Sequence, residues 1–227
     1  MSRARHEYKY LINQAEEELL RQRAACILAP DPYSGPDGSY FIRSLYFDDH
    51  NDSCLLDNES GTDRRSKFRM RYYNDDISLL RLEKKSKVRG MTIKVSCPLT
   101  PEEGQMLAEG RIPAVTPDLS GQKQQLFLEL QLRCLTPRVI VSYERIPFVY
   151  PAGNVRITFD RKLSSSGDTG RFLSGDYGFR PVMSPGSSVL EVKWDQLLPL
   201  HIQDSLQLNS LQWTSFSKYY MCRVYHL

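Results

Sequence analysis

Six stretches of the chain place charged or polar side chains at every second position, with apolar or aromatic side chains between them. In the first stretch, Glu7 and Lys9 alternate with Tyr8 and Tyr10. Because successive side chains of a β-strand point to opposite faces, this pattern predicts strands with one charged face and one apolar face. The charged or polar positions of the other five stretches are Arg69 and Arg71; Arg81, Glu83, Lys85 and Lys87; Thr92, Lys94 and Ser96; Arg156, Thr158 and Asp160; and Glu191 and Lys193.

Helix start signals lie between several of these strands. Asn13 is followed by Glu16, and Thr100 by Glu103, in the spacing of a capping box. Strands joined by tight turns, with helices beside them, favour an α+β fold with a mainly antiparallel sheet. No linker divides the chain, so we expect one domain over residues 1–227.

Two later segments are interpreted from composition and pattern. Residues 164–188 are rich in Ser, Gly and Pro, which is typical of loop. A final helix is expected over residues 216–225.

The charged faces indicate how the sheet should close. The helices must cover one face of the sheet, and the apolar face suits them, so the charged faces would point inward. A closed antiparallel barrel of about eight strands encloses one ligand-sized interior. Two like charges about 6 Å apart repel by roughly 3 kcal/mol at an effective dielectric constant of about 20, so such an interior needs carboxylates, a polyanion or both. An ordinary sheet with a solvated charged face is the alternative interpretation.

Composition excludes several classes of protein. The 30 Lys and Arg against 27 Asp and Glu give a net charge of +3, too small to indicate a nucleic-acid binder. No apolar run approaches the ~20 residues of a membrane span. The five cysteines form no C-x-x-C pair, which argues against a zinc module and predicts reduced thiols in the cytoplasm. The four histidines show no metal-ligand or nucleophile spacing.

Nine short segments, spread over nearly the whole chain, occur in a specific order and spacing. They are Arg5–Tyr10, Ser44–Asp48, Lys67–Tyr72, Leu82–Lys85, Thr92–Lys94, Ser142–Arg145, Arg156–Asp160, Leu190–Lys193 and Ser217–Tyr219. Each segment alone is a weak signal, but together they resemble the catalytic domain of the vacuolar transporter chaperone (VTC) polyphosphate polymerases in its bacterial form. Through that family the chain is similar to the triphosphate tunnel metalloenzymes of the CYTH-like superfamily.

The resemblance implies an antiparallel barrel whose basic walls form a tunnel for a triphosphate and a growing phosphate chain. Glu191 matches the carboxylate that holds the metal, manganese or magnesium. Arg5 stands where the wider superfamily has the first Glu of Glu-x-Glu-x-Lys, which favours the VTC branch over the hydrolases. The positions that match phosphate-binding residues are Lys9, Arg69, Arg71, Lys85, Lys94, Arg145, Arg156 and Lys218. The resemblance assigns catalysis to five residues, Arg69, Arg71, Lys85, Lys94 and Glu191.

The function implied by the resemblance is that of an ATP-dependent polyphosphate polymerase, which transfers the γ-phosphoryl group of ATP to a phosphate chain and releases ADP. The acceptor oxygen is ionised at neutral pH, so no protein general base is required. A metal-dependent tunnel triphosphatase and a non-catalytic polyphosphate-binding module are the alternatives, since both would share the tunnel.

ATP and polyphosphate are the expected partners. Nucleic acid is not expected, because the aromatic side chains lie on the faces opposite the cations and offer bases no stacking surface. A membrane partner acting in trans is left open. Tyr46 and Tyr143 are expected to pack rather than to take part in chemistry.

Overall fold

Ten strands form one sheet in the computed structural model, which describes residues 5–89, 91–175 and 177–226. None of the helices in these ranges is long and apolar enough to cross a membrane. The strands are β1 (His6–Ile12), β2 (Ala29–Pro30), β3 (Tyr40–Asp48), β4 (Arg65–Tyr73), β5 (Asp76–Val88), β6 (Met91–Pro98), β7 (Thr136–Tyr150), β8 (Val155–Ser166), β9 (Arg180–Pro181) and β10 (Ser188–Trp194). The helices are α1 (Gln14–Ile27), α2 (Ser53–Glu59), α3 (Pro101–Ala108), α4 (Gly121–Leu132), α5 (Leu200–Ser205) and α6 (Lys218–Val224). The predicted α+β class is confirmed.

The sheet is antiparallel and open. Its strands follow the order β1-β10-β8-β7-β3-β4-β5-β6, with β2 added to β7 and β9 to β8. It curls into a half-barrel, but within the described residues its end strands β1 and β6 are not hydrogen-bonded to each other. The prediction of a closed barrel is therefore wrong. The 213–214 segment lies along the free edge of β1 instead. Trp213 pairs with Tyr10, and the Thr214 N–H donates to the Lys9 carbonyl at 2.9 Å.

Four helices, α1, α3, α4 and α5, cover the apolar convex face of the sheet, as predicted. Phe68 of β4 packs with Phe127 of α4 in one apolar cluster, to which α3 also contributes. Ile157 of β8 and Leu20 of α1 belong to a second cluster, to which α5 contributes. Each of these four side chains is at most 4% exposed, and burial of a large apolar side chain stabilises the fold by ~1.5–3 kcal/mol.

Helix α6 departs from the prediction that the helices pack outside the sheet. It lies against the concave face, where the Tyr219 ring stacks on Tyr46 with centroids 4.9 Å apart. The Tyr219 hydroxyl donates to the Asp48 carboxylate at 2.6 Å. Asp48 is fully buried and also accepts from the backbone N–H groups of Cys54 and Leu55 in α2. This buried carboxylate therefore fixes α6 to β3 and α2.

Local sequence signals set the helix starts well. The Asn13 side chain accepts from the Glu16 N–H at 2.9 Å, and Thr100 accepts from the Glu103 N–H at 3.2 Å, in two complete capping boxes. The loop predicted over 164–188 is shorter than expected, because β8 continues along β7 and β9 pairs with β8. The serine-rich composition did not indicate this part of β8, whose extended form is set by its pairing with β7 and β9.

Candidate functional site

The concave face of the half-barrel brings together eight of the nine predicted site residues, in three groups of charged side chains. The exception is Arg156, which donates to Asp31 at 2.6 Å and to the Tyr40 hydroxyl at 2.8 Å. The eight are Arg69, Arg71 and Lys94 in the first group, Arg145, Glu191 and Lys218 in the second, and Lys9 and Lys85 in the third.

Glu83 of β5 is the centre of the first group. Its carboxylate lies 2.7 Å from Arg69 Nη2 on β4 and 2.5 Å from Lys94 Nζ on β6. Arg69 also donates to the Tyr46 hydroxyl at 3.2 Å. Burial alone would raise the pKa of Glu83, but the charges of Arg69, Arg71 and Lys94 outweigh it and hold the pKa well below its usual range. The carboxylate is therefore ionised and keeps the side chains of Arg69 and Lys94 next to each other.

Asp160 of β8 is the centre of the second group. It accepts two hydrogen bonds from Arg145, from Nε at 2.6 Å and Nη2 at 2.7 Å. The Lys218 ammonium at the start of α6 lies 2.6 Å from the same carboxylate. Arg145 reaches further, to Glu191 of β10 at 3.3 Å. One buried acid thus connects two strands and the concave helix.

Glu7 of β1 is the centre of the third group and has three lysine neighbours. Its carboxylate lies 2.9 Å from Lys9, 3.3 Å from Lys85 and 3.6 Å from Lys193. Burial and the nearby Glu191 charge would raise the pKa of Glu7. The charges of the three lysines outweigh both effects and lower the pKa to about 2. Lys193 also lies 2.9 Å from Glu191, so it links this group to the second.

Tyr143 of β7 links the first group to the second. Its hydroxyl accepts from Arg71 Nη2 at 3.4 Å. Its ring lies 5.4 Å from the Arg145 guanidinium and 5.0 Å from the Lys218 ammonium, within the range of cation–π attraction. The expectation that Tyr143 only packs is therefore incomplete, since the side chain contacts three site cations.

Several concave-face cations have no carboxylate within ion-pair distance among the described residues, and Arg71 and Lys67 are two of them. Arg71 is 7% exposed and donates to the Ser44 hydroxyl at 3.1 Å. Lys67 donates to the Ser217 hydroxyl at 2.9 Å. Burial, followed by the charges of nearby lysines and arginines, lowers the pKa of Lys67 to about 7. This uncompensated positive charge makes the concave face a candidate site for an anion.

A cavity of about 410 Å³ opens at one end of this face. Lys9, Lys67 and Lys85 line it, together with Glu7 and the 213–217 segment. A larger cavity, of about 630 Å³, lies beside α1 and contains none of the predicted site residues. The smaller cavity is the one that the chemistry favours, because lysine is a natural ligand of phosphate.

Sequence reasoning left several residues of this face out of the nine predicted site residues, including Lys67, Tyr143 and Asp160. The period of two that identified the strands could have found them. Lys67 precedes Arg69 by two positions, and Tyr143 precedes Arg145 by two. Asp160 already shared a predicted charged face, but nothing local showed that it would meet a lysine from the end of the chain.

Glu191 is the predicted metal ligand. Burial would raise its pKa, but Lys193, Lys9 and Arg145 hold the pKa well below its usual range, so the carboxylate is ionised. Within the described residues no three metal-ligating side chains converge. An ionised carboxylate that is surrounded by cations fits a divalent ion that arrives on phosphate oxygens, rather than one held by the protein alone.

Comparison with known proteins gives two kinds of match. A family model described as the VTC domain matches residues 4–225. Among solved structures, a "putative adenylate cyclase" from Bacillus halodurans is 14% identical, with a TM-score of 0.51 over 91% of this chain and 88% of that one. The PH1012 protein from Pyrococcus horikoshii OT3 is 12% identical, with a TM-score of 0.50 over 96% and 97%. At such identities the likeness shows a shared fold alone. A search of curated proteins found no match.

Proposed function

The chain belongs to the VTC domain family, and we propose that it is an ATP-dependent polyphosphate polymerase. It transfers the γ-phosphoryl group of ATP to the end of a polyphosphate chain and releases ADP. The observation that carries the proposal is the concave face, where cations from several strands and α6 converge and Arg71 and Lys67 have no carboxylate partner among the described residues. A chain of phosphates supplies the negative charge that this face lacks.

The reaction requires positioning and charge stabilisation. A terminal oxygen of the phosphate chain forms a bond to the γ-phosphorus, and the bond from that phosphorus to the β–γ bridging oxygen breaks. The electron pair of the broken bond leaves with ADP. Because the attacking oxygen is already ionised, the protein supplies cations and orientation instead of a base.

The charged groups divide the work by position. Arg69, Arg71, Lys85 and Lys94 would surround the triphosphate and stabilise the charge that moves to the leaving oxygen. Lys9, Arg145 and Lys218 would hold the remaining phosphates, whereas Arg156, engaged by Asp31 and Tyr40, could contact the phosphate chain only away from these groups. Glu191 would hold Mn²⁺ or Mg²⁺, which neutralises charge on phosphate oxygens when bound.

We further propose one domain over residues 1–227, which the family match over residues 4–225 supports. A cytoplasmic location is supported by the five free cysteines, which suit a reducing compartment. ATP and polyphosphate are the proposed ligands, without a role in nucleic-acid binding. Pull-down from a membrane extract tests whether a membrane partner acts in trans.

The first test is purified protein with ATP and manganese, followed by a polyphosphate dye, a gel and a free-phosphate assay. We expect one ADP to be released for each phosphate unit that is added to the polymer. Free phosphate without polymer would indicate that the protein is a triphosphatase and not a polymerase. No turnover, with a melting temperature raised by triphosphate, would indicate a binding module.

Site variants then test the assignment. Glu191→Gln should abolish turnover and leave triphosphate binding largely intact, and Arg69→Ala should weaken both. Glu129→Gln is the matched control, because Glu129 pairs with Lys84 on the convex side of β5. Full turnover in Glu191→Gln would contradict the role of Glu191 as the metal ligand.

A further inference from the structure

Asp160 lies where three elements meet. It is 1% exposed, and both carboxylate oxygens are engaged by cations. Arg145 of β7 donates to Oδ1 at 2.6 Å and to Oδ2 at 2.7 Å, and Lys218 of α6 lies 2.6 Å from Oδ2. The backbone of β8 pairs with β7 directly, whereas α6 comes from the end of the chain.

Asp160 contacts two of the predicted phosphate-binding residues, Arg145 and Lys218. Within the described residues, Asp160 is the one carboxylate within ion-pair distance of Lys218. Arg145 is also held by Glu191 at 3.3 Å, so the orientation set by Asp160 extends to the predicted metal ligand. Without the Asp160 charge, Lys218 and Arg145 would stay buried with too little negative charge around them, which favours their displacement.

We infer that Asp160 is a positioning residue, which fixes the Arg145 guanidinium and the Lys218 ammonium in the geometry that binds a phosphate group. The inference rests on the proposed function, because it assumes that this face binds a triphosphate. Asp160 itself is anionic and buried, so it acts on the phosphate through the two cations and not by contact.

Asp160→Asn tests the inference, with Glu144→Gln as the matched control. Glu144 is also a buried carboxylate with one arginine and one lysine partner: Arg161 donates to it at 3.1 and 2.8 Å, and Lys162 lies at 2.9 Å. It is adjacent to Arg145 on β7 but points to the opposite face. Both variants should lower the melting temperature. Only Asp160→Asn should raise the Kd for inorganic triphosphate, by about tenfold or more, in calorimetry well below both melting temperatures.

A double-mutant cycle separates positioning from a general loss of structure. If Asp160 acts through Lys218, Asp160→Asn should weaken binding much less in a Lys218→Met background than in the wild type. Equal losses in the two backgrounds would overturn the role of Lys218. If Asp160→Asn does not fold, Asp160→Glu keeps the charge and displaces the carboxylate by one methylene. Weakened triphosphate binding in Asp160→Glu then supports positioning, and unchanged binding contradicts it.

The outcomes also separate this inference from the proposed function. A wild-type protein that does not bind triphosphate defeats the proposed function. A wild-type protein that binds triphosphate, with Asp160→Asn and Glu144→Gln equal to it in Kd, defeats only the positioning role of Asp160.

Discussion

The Glu7 carboxylate on β1 lies 3.3 Å from the Lys85 ammonium on β5, across the opening between the two ends of the sheet. The backbone does not close the half-barrel at this point, since β1 instead receives the 213–214 segment on its free edge. A side-chain ion pair therefore joins the two sides of the opening. Glu7 also holds Lys9 and Lys193, so one acid balances three cations that would otherwise repel each other.

Glu7→Gln should destabilise the fold at neutral pH and lose this effect in acid. The folded-state pKa of Glu7 is about 2, against an ordinary value of 4.5. The stabilisation from its charge is fully present above about pH 4.5 and is lost as the pH falls through about 2. We expect the free energy of unfolding at pH 7 to fall by about 1–3 kcal/mol, measured by urea denaturation.

Glu18→Gln is the control for this prediction, because Glu18 lies on the exposed side of α1. It should change the free energy of unfolding by less than about 0.5 kcal/mol. The difference between wild type and Glu7→Gln should shrink steadily between about pH 4.5 and the acid end of the measurable range. A difference that does not vary with pH would show that the Glu7 charge is not its source.

The charged and apolar faces of the strands could be predicted because their period is local. Arg69, Glu83 and Lys94 fall on one face in the sequence and meet on one face in the structure. The closure of the sheet could not be predicted in this way, because it depends on which edge meets β1. In the structure, the free edge of β1 pairs with Trp213 at Tyr10, and these two positions are far apart in sequence.

The position of α6 on the concave face also could not be predicted from the local sequence pattern. A short helix over residues 218–224 shows its type in sequence but not the side of the sheet on which it packs. That side is set by the Tyr219–Asp48 hydrogen bond and the Lys218–Asp160 ion pair, two contacts across long stretches of sequence. The family resemblance supplied Lys218 as a site residue without supplying the partner that holds it.

Lys85→Met and Lys84→Met compare adjacent lysines on opposite faces of β5. Lys85 lines the concave cavity, whereas Lys84 pairs with Glu129 of α4 on the convex side. Loss of a charge-assisted contact to phosphate should raise the Kd for triphosphate by about tenfold or more in Lys85→Met. Lys84→Met should lower stability by about 0.5–1 kcal/mol and leave the Kd unchanged. Equal Kd values in the two variants would place the anion elsewhere.

Lys67→Met should stabilise the fold while it weakens anion binding. The folded-state pKa of Lys67 is about 7, against an ordinary value of 10.5. Between these values the unfolded chain binds more protons, so the destabilisation by Lys67 is fully present below about pH 7 and disappears toward pH 10.5. The free energy of unfolding of Lys67→Met should exceed that of wild type by about 1 kcal/mol at pH 7, and the difference should decrease at pH 9.5.

The same lysine predicts proton uptake on binding. A triphosphate next to Lys67 favours its charged form, so binding at pH 8 should take up protons. Calorimetry in two buffers of different ionisation enthalpy measures this uptake. It should be smaller in Lys67→Met, and an uptake equal to that of wild type would assign the proton to another group, such as Lys85, whose pKa is lowered to about 8.

Tyr219→Phe and Tyr220→Phe test how α6 is held on the concave face. The Tyr219 hydroxyl donates to buried Asp48 at 2.6 Å, whereas the Tyr220 hydroxyl donates to exposed Glu59 at 3.1 Å. Loss of a hydrogen bond to a buried charge should cost about 1–3 kcal/mol of unfolding free energy in Tyr219→Phe. The cost in Tyr220→Phe should stay under about 0.5 kcal/mol. Because α6 begins at Lys218, Tyr219→Phe should also weaken triphosphate binding several-fold, and an unchanged Kd would mean that Asp160 alone suffices to place that lysine.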